Sequence, residues 1–318
     1  MSNTAALLLV PHLQVQNTNA ISGPFTWGFP SPTAFTGFVH ALERRLSKEF
    51  DLEFGGIGIV CHHFEPQISQ PANRRHQVFC LTRNPLNRSG ATAALVEEAR
   101  AHMEISLVIE VLTELDSDDQ TELTECLLTT IHAMRLAGGS ILPRYGKRHQ
   151  PEWFDWWDDD ADNITAFRKL RNRLLPGFAL IQREDLLAEH LQEMRVQNAG
   201  SNALDALIDL SRLNMEPSGP DPKKPSETLW KARSKPGWLV PVPVGYAALS
   251  PLYLPGEVSN ARDEQTHFRF VESLYSLGQW ISPHRLTELK QLLWRHEADI
   301  ETGIYRCANQ YANTLNNA

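Results

Sequence analysis

The spacing of hydrophobic and polar positions along the chain changes period several times, and each change marks an element. Residues 7–16, LLLVPHLQVQ, begin as an apolar run and settle into alternation, which predicts an opening strand ending in the polar Gln16-Asn17-Thr18-Asn19. After the turn-rich SGPFTWGFPSP, Phe35, Phe38, Val39, Leu42 and Leu46 recur at helical spacing, so Thr33 to Lys48 reads as a helix with Pro32 near its start. A second strand is expected over 52–64, where Gly55, Gly56 and Gly58 point to a bulge or a close backbone approach. The clearest alternation follows: Met103, Ile105, Leu107, Ile109 and Val111 against His102, Glu104, Ser106 and Glu110, a strand with one buried face and one polar face open to a ligand. Ser117-Asp118-Asp119-Gln120 has the form of a capping box for a helix running to about Arg135, with Leu123, Leu127, Ile131 and Met134 on its apolar stripe. Gly138-Gly139 then stops it, and GSILP reads as a strand. The order is β-α-β, then β-α-β again, which fits a ferredoxin-like or RNA-recognition-type sheet better than a regular parallel α/β sheet.

From 145 to 215 the pattern changes to a helical insertion. A loose acidic and aromatic loop, PEWFDWWDDDAD, leads to a basic helix from Asn163, a short strand GFALIQ, and helical patterns at 184–196 and 202–213. The Pro- and Gly-rich stretch 215–227 reads as a flexible excursion, and WLVPVPVGY (238–246) as a strand whose prolines favour an edge. Pro283 to His296 is expected to form a terminal amphipathic helix.

Charge alters this picture. The chain has 318 residues, 42% hydrophobic, and a formal charge of −8, which at face value opposes binding to phosphate. Yet three windows, 66–96, 126–151 and 163–183, contain 13 of the 30 Lys and Arg and none of the 38 Asp and Glu. Arg74, Arg75, Arg83 and Arg88 lie in the first window without a neighbouring carboxylate, so something outside that segment is expected to neutralise them. Four scattered cysteines without a CxxC pair and an N-terminus without a signal-peptide pattern lead us to expect a reduced, cytoplasmic setting. No run of 18 apolar residues is present, so no membrane span or membrane partner is expected.

The chain has no P-loop, GxGxxG, GxSxG or HExxH, so no nucleotide cofactor or zinc-protease chemistry is implied. Cys61-His62-His63 are neighbours on a strand, point to opposite faces and cannot close one tetrahedral metal site unaided. The carboxylates of 152–162 could hold Mg²⁺, but a loop of this composition reads as solvent-facing or as a partner contact. We therefore expect neither metal nor cofactor. One enzymatic reading survives: a metal-independent RNA endonuclease using His62, His63, Tyr145 or His149 near arginines. Histidines in a carboxylate-free basic strip are equally explained as phosphate or base contacts.

Several blocks together resemble one family: QNTNAISGPFTWGFPSPTAFTGFVHAL (16–42), GIVCHHFEPQISQP (58–71), VFCLTRNPLNRSG (78–90), RLAGGSILP (135–143), RNRLLPGFAL (171–180), KPGWLVPVPVGYAALSPLYLPGEVSNARD (235–263) and ISPHRL (281–286). The family is the second Csy subunit, the Cas-five-type protein of the type I-F CRISPR surveillance complex, and the similarity covers nearly the whole chain. It implies an α+β fold with a ferredoxin-like, RRM-like RAMP core, a projecting hairpin thumb that grips the 5′ handle of the crRNA, and a helical insertion. The corresponding division is a core over 1–144 with the thumb around 66–96, an insertion over 145–234 with a flexible loop at 215–234, and a return to the core with a terminal helix over 235–318. The resemblance further implies a heterodimer with the large subunit, contact with the backbone subunit, target double-stranded DNA met through the complex, and no catalysis by this subunit.

The residues are compatible with RNA binding. Gln77 to Leu81 reads as strand, and Asn84-Pro85 and Asn87-Arg88-Ser89-Gly90 as turns, placing Arg83 and Arg88 on an excursion where guanidinium groups can fork onto phosphate. Gly138-Gly139-Ser140 would let backbone N–H groups approach phosphate between Arg135 and Arg144, or would simply end the helix. Gln16, Asn17 and Asn19 offer amides to base edges. On the basic helix Arg168, Lys169, Arg171 and Arg173 form a cationic face opposite Phe167, Leu170 and Leu174, which could meet nucleic acid, the acidic loop before it, or solvent. The aromatic RNP1 pattern is absent, so no stacking platform is expected on the open sheet.

Overall fold

The computed structural model describes residues 4–74, 76–80, 85–93, 98–156 and 160–315. Among them eleven strands form one sheet: β1 (Ala6–Asn19), β2 (Phe54–Pro66), β3 (Arg100–Val111), β4 (Arg135–Leu136), β5 (Gly139–Leu142), β6 (Glu152–Asp155), β7 (Phe178–Gln182), β8 (Trp238–Ala248), β9 (Val271–Ile281), β10 (Leu293–Asp299) and β11 (Ile304–Asn309). Their order is β7-β9-β8-β11-β10-β2-β3-β1-β5-β4, with β6 added to β1, and every registered pair is antiparallel. The fold is mixed α+β.

The first half follows the β-α-β repeat. Leu8 and Val10 of β1 face the main core, and so do Leu13 and Val15, which alternation alone would place on the other face. A bulge reconciles them: Val10 pairs with Leu107 and Leu13 with Ile105, so Pro11 and His12 together oppose Ser106. Proline is tolerated in a central strand at such a bulge because it has no N–H to contribute to the ladder.

Helices α1 (Pro32–Leu46) and α2 (Ser117–His132) cover the same face of this sheet with the predicted stripes, Phe35, Phe38, Val39, Leu42 and Leu46 from one and Leu123, Leu127 and Ile131 from the other. Ser31 caps α1, accepting the Thr33 N–H at 3.2 Å, and its own hydroxyl donates to the Pro243 carbonyl at 2.7 Å, joining the helix start to β8. The cap of α2 lies one residue earlier than expected: Asp116 accepts the N–H groups of Asp118 and Asp119. That helix ends at His132, and Gly138-Gly139 belongs to a hairpin beyond it.

The second face of β3 is not open along its length. Leu7, Leu9, Val60 and Val108 are covered by Phe167, Leu170 and Leu174 of α3 (Asp160–Arg173) and by Leu286, Leu289 and Leu292. Glu110, read as part of a polar face, is fully buried against Arg295. Only the His102–Glu104 end of the strand keeps a half-exposed polar face. The expected loose acidic loop is also partly ordered, since Glu152 to Asp155 form β6 on β1, and Trp153 donates its indole N–H to Thr124 Oγ1 at 2.9 Å.

The second half returns to the same sheet and closes on itself. β7 pairs with β9 and also with β2 (Phe178↔Cys61), while β10 pairs with β2 at Leu293↔Gly58, so the six strands β7-β9-β8-β11-β10-β2 form a ring. Gly58 is required by close approach, because a Cβ there would stand 2.7 Å from Leu292 Cγ. The prolines of β8 lie where β9 is its registered neighbour, whereas β11 pairs only with Gly245–Ala247, so the strand is an edge just where its prolines are.

The terminal helix expected over 283–296 does not form. Two 3₁₀ turns, Pro283–Arg285 and Leu289–Gln291, are followed by β10, and Trp294 donates to the Leu180 carbonyl at 2.8 Å. Leu286, Leu289 and Leu293 have helical spacing, but they meet the α3 layer from successive turns, and pairing with β2 outweighs local propensity. The 215–227 excursion is built as a hairpin, Met215–Asp221 against Lys224–Ala232, following α4 (Glu184–Gln197) and α5 (Ala203–Ser211). No helix among the described residues is long and apolar enough to cross a membrane.

Candidate nucleic-acid interface

The nominated residues at the end of β1 and around β4 and β5 come together. Leu136 pairs with Gly139, leaving Ala137 (φ 49°) and Gly138 (φ 76°) as the two residues of a hairpin turn, and positive φ at both is the type I′ geometry that suits strand twist. Ser140 pairs with Gln16 on one side and Arg135 on the other, and the Asn19 N–H donates to Ala137 O at 2.8 Å. The main chain of Gly139 and Ser140 therefore lies within the sheet rather than forming an open N–H cradle. The groups a ligand would meet are the exposed Arg135 and Ser140 side chains. Arg144 Nε donates to Gln14 Oε1 at 2.9 Å, which holds the guanidinium over the same edge.

The three amides differ in availability. Asn19 is engaged locally, its Nδ2 donating to Ile21 O and its Oδ1 accepting the Ile21 N–H. Asn17 adopts φ 58°, accepts from Gln67 Nε2 and donates its N–H to His102 Nδ1 at 3.3 Å. Gln16 is exposed. Gln67 and His102 were not nominated from sequence, although His102 belongs to the polar alternation of β3.

The basic excursion leaves the sheet beside this edge. Gln67 N–H donates to Arg100 O at 2.8 Å, and a short ladder pairs Ile68–Ser69 with Val78–Phe79. Arg74 is exposed at its far end, and Arg88 is exposed in a turn where Asn87 Oδ1 accepts the N–H groups of Ser89 and Ala91 at 3.0 Å. Arg75, Arg83 and Asn84 lie outside the described residues. Arg74, Arg88, Arg135 and Arg144 form no ion pair with any described carboxylate.

The bulge in β1 produces a second cluster that alternation concealed. His12 Nδ1 donates to Glu104 Oε1 at 2.7 Å, its ring lies 4.2 Å from that of His62, and His149 approaches at 6.2 Å. Pro176 O can only accept, so His62 Nδ1 carries the proton at 2.6 Å; Nε2 then accepts from Ser106 Oγ at 2.7 Å, and Ser106 Oγ accepts the His12 N–H. Burial lowers the pKa of both rings, and for His12 the neighbouring His62 lowers it further, so both are held neutral. Of the four residues considered for RNA cleavage, His62 and His149 meet at His12, whereas Tyr145 is 85% exposed and His63 lies 3.8 Å from Glu65. Burial pushes the Cys61 thiol up to about 12. Among the described residues no three His, Cys, Asp or Glu side chains are placed to share a metal ion.

On α3 the three arginines diverge. Arg173 Nε donates to Glu152 Oε2 at 2.9 Å, an internal pair with the acidic segment. Arg171 donates to the carbonyls of His284 and Leu286 and lies over the Phe167 ring. Arg168 is exposed, as is Lys169.

Comparison with known proteins places nearly the whole chain beside one family. The family described as CRISPR-associated protein (Cas_Csy2) matches residues 8–307. The chain is 53% identical over 313 residues to the CRISPR-associated protein Csy2 of Pseudomonas aeruginosa (strain UCBPP-PA14), covering 96% of each chain.

Proposed function

The chain belongs to the Csy2 family of CRISPR-associated proteins of the type I-F Csy complex, and from that premise we propose that it is the non-catalytic subunit that holds the 5′ handle of the crRNA. The observation that carries this reading is the convergence at one sheet edge of Gln16 and Asn17 with Arg135, Ser140 and Arg144, next to an excursion bearing Arg74 and Arg88. Cations without carboxylate partners are suited to phosphate, and exposed amides and a hydroxyl to base edges. The order β2-β3-β1-β5 with α1 and α2 on one face supports a ferredoxin-like RAMP core over 1–144, with the excursion around 66–96 as its thumb.

The remaining partners follow from the same premise: a heterodimer with the large subunit, contact with the backbone subunit, and target double-stranded DNA met through the complex. Exposed Leu249, Leu252, Leu254 and Phe270 between β8 and β9 supply apolar surface of the kind a protein partner covers. Arg168 is the member of the α3 trio free to meet nucleic acid.

A metal-independent endonuclease on the same fold is the rival. Both ring nitrogens of His62 are already engaged, by Pro176 O and Ser106 Oγ, which disfavours a proton-transfer role for it. The test is purification from cells carrying a repeat array, followed by sequencing of the bound RNA and metal-free incubation with repeat RNA. Handle-containing RNA is expected, uncut; specific cleavage abolished by His62→Ala would defeat the non-catalytic reading.

A further inference from the structure

A cavity of about 500 Å³ opens where β2, β7, β8 and β9 meet, at the point where the ring of strands closes. Its walls are largely aromatic. Trp238 contacts Phe178 with ring centroids 6.0 Å apart and Trp280 at 6.5 Å, and Trp27, Phe29 and Phe64 are further aromatic residues of the lining. Trp27, Phe178 and Trp238 are exposed at 56%, 46% and 60%, so this is an open slot rather than a core void. Among the described residues no Asp, Glu, Lys or Arg lines it; His62, with both ring nitrogens engaged, and His63, beside Glu65, do. Thr26 contributes a hydroxyl oxygen that is buried and has no hydrogen-bond partner among the described residues.

We propose that this slot is a base pocket, taking one splayed-out nucleobase of the bound RNA. The inference rests on the handle-binding reading above and specifies a subsite within it. A phosphate inside is disfavoured, since a desolvated anion needs a cation and among the described residues the lining offers no Lys or Arg, while both ring nitrogens of its His62 are already engaged. An apolar side chain of a partner protein would satisfy the aromatic walls but leave the Thr26 hydroxyl orphaned, and a buried donor without a partner is unfavourable. A nucleobase meets both demands, with π-faces to stack on indole and phenyl rings and edge nitrogens and oxygens to bond the hydroxyl. The slot also continues the proposed RNA path. Ala20 follows Asn19 at the end of β1, Pro66 opens the basic excursion, and both line the cavity. Trp27 meets Phe79 of the excursion edge-on at 5.3 Å. A strand whose phosphates are held by Arg74 and Arg88 thus passes the rim with its bases within reach of the slot.

The experiment is a thermodynamic cycle with the full-length chain, its own crRNA, and a series of crRNAs each abasic at one handle position. Trp238→Ala should weaken binding of intact crRNA about tenfold, the effect of losing one stacked base. Thr26→Val, which keeps the shape of the slot, should weaken it about fivefold, the effect of losing one hydrogen bond. Both losses should vanish for the crRNA abasic at a single position. Equal weakening of every abasic RNA by Trp238→Ala, or crRNA binding unchanged or tightened by Thr26→Val, would overturn the proposal; tighter capture of the large subunit by Thr26→Val would assign the slot to a protein side chain. If Arg74→Ala and Arg88→Ala leave the salt dependence unchanged while the cycle holds, the phosphate reading fails and the pocket stands. If those arginines matter and the coupling is absent, the pocket fails and the phosphate reading stands.

Discussion

Gly139 lies so close under β1 that a Cβ on it would stand 2.7 Å from the Gln16 carbonyl oxygen and 2.8 Å from Thr18 Cγ2. That contact sets the position of the β4–β5 hairpin, and with it Arg135 and Ser140, against the end of the first strand. Gly139→Ala should cost about 1–3 kcal/mol of stability by overpacking, and Gly138→Ala about 1 kcal/mol through its positive φ. Both should lower Tm, and Gly139→Ala should also weaken crRNA binding by displacing the hairpin. Arg135→Ala, on an exposed side chain, should leave Tm within a degree or two and weaken crRNA alone. A lower Tm for Arg135→Ala would show that the residue is structural.

Four phosphate contacts to single-stranded RNA give a log–log salt slope of about −3. Replacing Arg74 and Arg88 together by Ala should reduce its magnitude by about 1.4, since each lost contact removes about 0.7. Filter binding between low and physiological salt reads this directly, and an unchanged slope would take these two residues out of the phosphate contacts.

His12 and His62 connect the bulge of β1 to acid sensitivity. Their native pKa values lie below the ordinary 6.5 because burial disfavours the imidazolium, and each ring also faces Arg148. Glu104 opposes this without overcoming it, and His149 stands beside His12. In the unfolded chain both rings take up protons from about pH 6.5 downward, so below that pH the unfolded state binds more protons and stability falls with acidification. Urea midpoints at pH 7.5 and 5.5 should differ for the native sequence and differ less for His62→Gln, which cannot titrate. Equal differences in both would place the acid sensitivity elsewhere.

Glu110 has no exposed surface, yet it stays charged. Burial alone would raise its pKa, but the Arg295 guanidinium, the Thr4 hydroxyl at 2.5 Å and the Gly56 N–H at 2.7 Å outweigh burial and hold it below the usual carboxylate value. Glu110→Gln should cost about 2 kcal/mol, a buried-pair loss discounted because Arg295 is partly exposed. The denaturant midpoint should fall without a change in crRNA affinity, since the pair lies on the α3 side of the sheet. A matching loss of affinity would couple that side to the edge formed by β4 and β5.

How legible these features were depended on how local their causes are. Alternation in 103–111 and helical spacing in Phe35 to Leu46 reflect one strand and one helix facing a single core, so the pattern survived folding. The segment Pro283–His296 misled because a 3₁₀ turn, a loop and a strand entrance can bury leucines at the same intervals as a helix. His12 was overlooked for a related reason: a two-residue bulge shifts the face of every later position, and no alternation rule anticipates where that occurs. Arg173 looked like Arg168 until β6 brought Glu152 to it.

The amino-acid order by itself determined the repeated β-α-β plan, the segregation of 13 cations into windows without acids, and the family to which the chain belongs, because each is carried by residues close together in the chain. Only the tertiary structure decided which cations are free and which are spent on internal carboxylates and carbonyls. It also decided that the late strands return to β2, forming an aromatic slot from residues more than 200 positions apart, such as Trp27 and Trp238. Contacts at such separation depend on how closed rings and bulges set the register, and that information is distributed over the whole sheet rather than written in any one stretch.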